Sequence, residues 1–123
     1  MFKDFPLSIH NNAQKAAEAA RCSLEQDQEK YWEYHDKLFA NSTALGQDNL
    51  KKIAADLKFD TAKFNACLDS GKYVAAINKD TADGTKVGVS GTPAFLINGR
   101  FLSGAQPFSA FQEVIDEALA SAN

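Results

Sequence analysis

The sequence predicts an α-rich α+β fold: a run of helices, then a β-hairpin, then one more helix. Three observations carry that expectation. Apolar residues recur at three- and four-residue spacing through most of positions 13–87, the period of a helix with one buried side. At Gly88 the period changes, and the runs "AFLI" (94–97) and "RFLSG" (100–104) flank Asn98-Gly99. Both residues of that pair tolerate positive φ, which a two-residue hairpin turn requires. After Pro107 the helical period returns. Proline suits a first helical turn, where its missing N–H would have had no partner.

The elements follow in order. Phe2–Leu7 alternates apolar and polar residues and reads as a short strand. Asn11 or Asn12 can cap a first helix, in which Ala13, Ala16, Ala17, Ala20 and Leu24 share a face of mostly small residues. A second helix covers about Lys30–Phe39, with Tyr31, Trp32, His35, Leu38 and Phe39 on its buried side. A third spans about Asp48–Leu57, with Leu50, Ile53, Ala54 and Leu57 inward. Asp60 caps a short fourth helix carrying Phe64, Cys67 and Leu68, and Gly71 stops it. A fifth runs from about Lys72 toward Val87, with Tyr73, Val74, Ile77 and Thr81 inward. The last helix carries Phe108, Phe111, Ile115 and Leu119 as its stripe.

Composition narrows the function classes. The chain has 123 residues, 45% hydrophobic and 24% charged, with a formal net charge of −3. That describes a folded domain with a core of its own. No basic stripe is present, which argues against nucleic acid as a partner. No apolar run is long enough to span a membrane, and "MFKDFPLSIH" has no signal-peptide h-region.

Chemistry-bearing residues are few. Cys22 and Cys67 form no CxxC, and with two histidines in the chain a metal site is poorly supported. Buried thiols acting as small hydrophobes remain open for them. His10 reads as a turn residue facing solvent and His35 as packed among aromatics. Asp4, His10 and His35 make no triad. Tyr31, Trp32, Tyr34 and Phe39 read as packing residues rather than a ligand box, and "EQDQEK" (25–30) as a solvated helix end. No cofactor-binding motif is visible.

One resemblance sharpens this reading. "GVSGTPAFLINGRFLSGAQPFSAFQEVIDEAL" resembles the C-terminal half of the DsbA-like branch of the thioredoxin superfamily. "DFPLSIHNNAQKAAEAARC" and "YWEYHDKLF" resemble the start of that branch's helical insertion. The resemblance implies a thioredoxin-like α+β domain over 1–123. A helical insertion of about five helices would occupy 11–87, and the cis-proline loop, hairpin and last helix would occupy 88–123. It implies that Thr92 and Pro93 bind substrate and face a redox-active CxxC. The chain holds no CxxC, so the resemblance implies a truncated domain lacking its N-terminal βα unit, with no catalytic residue of its own.

Disulfide transfer needs an attacking thiolate and a resolving thiol, which a CxxC at a helix N-terminus supplies with a lowered pKa. Cys22 and Cys67 both fall within helices, where that activation is missing. The resemblance pairs them instead as a structural disulfide. It also implies a thiol:disulfide oxidoreductase acting on cysteine-containing proteins or peptides in a full-length form, in a periplasmic or exported setting. The alternative is a non-catalytic peptide-binding or assembly module. A sheet without its central strand leaves open apolar edges, so a homodimer is expected.

Overall fold

In chain order the computed structural model, which describes residues 1–122, runs α1 (Ala13–Gln26), α2 (Gln28–Ala40), α3 (Gln47–Asp56), α4 (Thr61–Asp69), α5 (Val74–Lys86), β1 (Ala94–Ile97), β2 (Arg100–Ser103) and α6 (Phe108–Ser121). The chain divides into two units, Met1–Ala82 and the residues from Asp83 onward.

The first unit is helical. α1 packs against α2, α3 and α4, and its small residues make that possible: Ala16, Ala19 and Ala20 are buried together with Cys22 and Ser23. Around them lie Tyr34, Leu50, Ala54, Phe64 and Leu68, all without solvent exposure. Burying a side chain of the size of Phe64 or Leu68 contributes about 1.5–3 kcal/mol. The Tyr34 hydroxyl, deep in this core, donates to the Leu50 carbonyl at 3.0 Å, and burial pushes its pKa well above the ordinary phenol value.

Helix ends are set by local chemistry. Asp27 accepts from the N–H groups of Glu29 and Lys30 to open α2, and Asp60 accepts from Lys63 N–H to open α4. Gln26 joins these two starts. Its amide donates to the Asp60 carbonyl at 3.2 Å and accepts from Asp60 N–H at 2.9 Å. α4 stops at Gly71, whose φ of +66° suits glycine. α3 stops at Lys58, which takes φ +61° with a full side chain. The Phe59 N–H then reaches the Ala54 carbonyl at 3.1 Å.

Four sequence expectations need correction here. Phe2–Leu7 is not a strand and has no regular secondary structure. Its polar groups bond to helical side chains instead: Asp4 N–H and Lys3 Nζ both reach Asp80. The buried side of α2 is Tyr31, Tyr34 and Leu38, while Trp32 and Phe39 are exposed. The helix carries two apolar stripes one residue apart, and the core takes only one of them. Leu24 in α1 and Val74 in α5 are likewise exposed; the neighbouring Cys22, Ser23, Ile77 and Asp80 occupy the inward positions. Finally, no residue of α6 is buried, and Phe108, Ile115 and Leu119 stand exposed, because the two-stranded sheet is too narrow to cover the stripe.

The second unit holds the hairpin. β1 and β2 pair antiparallel, with Ala94 opposite Ser103 and Ile97 opposite Arg100. Asn98 and Gly99 take φ of +48° and +82°, both positive as a primed two-residue turn demands. α6 packs on β1. Phe95 meets Phe111 edge to face with ring centroids 4.8 Å apart, and Arg100 pairs with Glu117.

Candidate functional site

In the second unit Gly88, with φ +93°, turns the chain out of α5. The loop then runs to Thr92 and Pro93, both exposed, and the peptide bond between them is cis. The Pro93 carbonyl accepts from Gly104 N–H at 2.8 Å, which ties the entrance of β1 to the exit of β2. At Gly91 the place of a Cβ has no atom within 4 Å, so this stretch of loop is open. The sheet has only two strands, so among the described residues β1 and β2 each keep one outer edge without a ladder partner. An open edge entered by an exposed turn can offer main-chain groups to an extended peptide.

In the first unit Cys22 of α1 and Cys67 of α4 form a disulfide, with S–S 2.02 Å and Cα–Cα 5.9 Å. It fixes two helices that already pack together. Its two ends differ. Cys22 is 1% exposed, whereas Cys67 is only partly buried. Both line an open cleft of about 680 Å3 together with Glu25, Lys63, Ala66, Ser70 and Lys72. Glu25 accepts from Lys72 Nζ at 2.6 Å and from the Tyr73 hydroxyl at 2.8 Å. The bonds from Lys72 and Tyr73 lower its carboxyl pKa, and the bond to Glu25 raises that of Lys72. The Cys67 sulfur stands 3.8 Å from a Glu25 oxygen. As a disulfide sulfur it has no proton to donate there.

A charge network that sequence reasoning missed lies elsewhere in this unit. Arg21 donates from Nε to Asp4 at 2.6 Å and from Nη2 to Asp80 at 2.5 Å, and Lys3 Nζ reaches Asp80 at 2.8 Å. Asp80 is 6% exposed. Burial opposes its charge, but Lys3, the Asp4 N–H and Arg21 outweigh that and lower its pKa. Burial likewise opposes the Arg21 cation, and Asp4 and Asp80 more than offset it. The network fastens the segment Phe2–Leu7 to α1 and α5, and a cleft of about 290 Å3 beside it is walled by Phe2, Leu24, Tyr31 and Trp32. In sequence the Lys3-Asp4 pair, Arg21 and Asp80 are far apart and form no motif, so nothing marks them.

Neither histidine lines the cleft at the disulfide. His10 is exposed in the turn before α1, where its carbonyl accepts from Ala13 N–H at 3.0 Å. His35 sits among the rings of Phe2, Tyr31, Trp32 and Phe39 and contacts Asp36 through Nδ1 at 3.1 Å. Among the described residues no group of three or more His, Cys, Asp or Glu side chains is placed to hold a metal ion, and no helix is long and apolar enough to cross a membrane.

A family model described as thioredoxin matches residues 1–117. The chain belongs to the thioredoxin family. Its mixed fold of helices and a small antiparallel sheet agrees with that α+β class. Similar curated proteins include a Na(+)/H(+) antiporter, NhaA 3, of Salinispora tropica, 34% identical over 123 residues. That match covers 99% of this chain and 19% of the antiporter. Disulfide bond formation protein D of Bacillus subtilis is 24% identical over 112 residues, covering 85% of this chain and 50% of that protein. The chain therefore spans about a fifth of the antiporter and half of the disulfide bond formation protein. No solved structure matches it.

Proposed function

We propose that this chain is the substrate-facing part of a DsbA-like thiol:disulfide exchange protein. Thr92 and Pro93 receive a cysteine-bearing peptide in extended form, and a CxxC outside this sequence performs the exchange. The observation that carries the reading is the exposed Thr92–Pro93 turn at the mouth of β1, in a chain of the thioredoxin family. Similarity to a disulfide bond formation protein supports it. The Cys22–Cys67 bridge supports an oxidising, periplasmic or exported setting, because such bonds persist there.

The test is a titration of the isotope-labelled chain with a short cysteine-containing peptide, followed by amide chemical shifts. Shifts centred on 91–94 are expected. Shifts absent there, or spread over α1–α4 only, would overturn the reading.

The open hairpin supports a second reading, a non-catalytic assembly module that pairs as a homodimer. Phe95, Leu96 and Phe101 are 38%, 52% and 43% exposed, and open apolar edges recruit strands. Under this reading light scattering at micromolar concentration gives twice the chain mass of 13.4 kDa. A monomer mass rejects it.

A further inference from the structure

We propose that two copies of this chain pair through the free edge of β1, antiparallel about a two-fold axis that passes at Phe95. The inference rests on the homodimer reading above and goes beyond it by naming the edge and the register.

The hairpin shows which groups are free. Gly104 N–H donates to the Pro93 carbonyl, so residues 93 and 104 form a hydrogen-bonded pair. Such pairs recur at every second residue of an antiparallel ladder, which makes Phe95–Leu102 and Ile97–Arg100 the next two. The N–H and C=O groups of Ala94 and Leu96 therefore point away from β2. Among the described residues they have no partner. The outer edge of β2 differs, because its Ser103 carbonyl already accepts from the Gln106 amide at 2.8 Å. β1 carries no such cap, and its residues, Ala94–Ile97, are all uncharged. An uncapped, uncharged edge is the kind that recruits another strand.

Self-pairing then selects a register. With Ala94 opposite the partner's Leu96, and Leu96 opposite the partner's Ala94, each pair exchanges both of its hydrogen bonds. Strand residues alone supply them. Moving the axis by one residue in either direction would call on Thr92, in the bend before β1, or on Asn98, in the turn with φ +48°. In the selected register Phe95 faces its own copy in a non-hydrogen-bonded pair, with Cα atoms about 4.5 Å apart.

The area decides how tight such a dimer is. Phe95 lies on the face of the hairpin that carries α6, where it meets Phe111. A partner strand beside β1 widens the sheet under α6, whose stripe two strands leave open. Phe95, Phe108 and Leu119 are 38%, 80% and 62% exposed. With Ile115 and Leu96 they offer roughly 400–500 Å2 of apolar surface per copy, scaled from about 150–250 Å2 for a whole aromatic side chain. Two copies bury about 800–1,000 Å2, short of the ~1,200 Å2 of a stable interface. The dimer therefore exchanges with monomer in the micromolar range.

Sedimentation velocity of the full chain across that range tests it, with two proline variants. Leu96→Pro removes an N–H that the hairpin does not use, at a place where an edge strand accepts proline. It should leave the β1–β2 amide shifts in place and hold the mass at 13.4 kDa. Ser103→Pro makes the same change on the outer edge of β2 and should still dimerise. A disulfide trap checks the register. Cys22 and Cys67 are bridged to each other, so an added thiol reacts alone. Phe95→Cys should link to its own copy on mild oxidation, its Cα separation being within disulfide reach. Leu102→Cys, the self-facing position for pairing through β2, should not. A dimer that survives Leu96→Pro, or one that links through Leu102→Cys and not Phe95→Cys, would refute this edge and register while the homodimer reading stands. A monomer at every concentration would remove both.

Discussion

Replacing Asp80 by Asn removes a buried negative charge at nearly constant volume. Asp80 receives three hydrogen bonds, from Lys3 Nζ, Arg21 Nη2 and the Asp4 N–H. They are not of equal worth. The Lys3 side chain is 54% exposed, so its pairing is screened and worth roughly 0–1 kcal/mol. Arg21 is 28% exposed, so its charged bond is discounted to about 1–2 kcal/mol. The asparagine oxygen keeps one acceptor. The net loss is therefore about 1–3 kcal/mol at neutral pH. The sign with pH follows from the lowered native pKa of Asp80. A depressed carboxylate adds stability that is complete above its unfolded pKa and is lost as pH falls through the native value. The difference between wild type and Asp80→Asn should thus be full at pH 7 and shrink as pH drops below the ordinary carboxylate range. Urea unfolding followed by circular dichroism at pH 7 and at acid pH measures it. Amide exchange at Asp4, faster in the variant, reports the loosened N-terminal segment. A deficit under about 0.3 kcal/mol, or one that does not shrink in acid, would refute the reasoning.

Three further outcomes are expected. Cys22→Ala with Cys67→Ala frees a loop with a sequence separation of 45; chain entropy sets the loss at up to about 4 kcal/mol, and urea unfolding showing less than about 1 kcal/mol would contradict it. Lys58→Gly relieves a left-handed residue at the end of α3 and should raise stability by about 0.5–1 kcal/mol in the same assay; a decrease would mean that the lysine side chain matters more than its backbone. The chain as given contains no CxxC and should not turn over in an insulin-reduction assay; activity lost in Cys22→Ala would show Cys22 to be a nucleophile after all.

What was legible in the sequence was local. The hairpin follows from Asn98-Gly99, whose φ values are both positive. The start of α4 follows from Asp60 and its end from Gly71. The core of α3, Leu50, Ile53 and Ala54, follows from spacing alone. What failed depended on partners. Alternation at Phe2–Leu7 is a strand signal only if a strand lies beside it, and there Asp80 and Arg21 claim the polar groups instead. In α2 the sequence offers two stripes of nearly equal size, Tyr31/Tyr34/Leu38 and Trp32/His35/Phe39. Spacing does not say which one the neighbours cover. The Tyr34 hydroxyl tips the choice, because it finds the Leu50 carbonyl in the core. The Thr92–Pro93 turn was visible as a motif, while its surroundings were not.

The distribution of burial bears on how such a turn works. Every buried side chain among the described residues lies between Ala16 and Asp80, and from Asp83 onward there is none. Packing energy therefore resides in the helical unit, while the hairpin is held by its register, the Phe95–Phe111 contact and the Arg100–Glu117 pair. Binding segments are commonly drawn from the less stable parts of a fold. A hairpin with two strands and open edges has unfilled ladder positions and half-covered aromatics. An extended peptide laid along β1 would supply both the missing hydrogen bonds and the missing burial at once. Its affinity would come from main-chain pairing and so depend little on sequence; under the proposed reading, Thr92 and Pro93 would set where along the edge the peptide's cysteine stops.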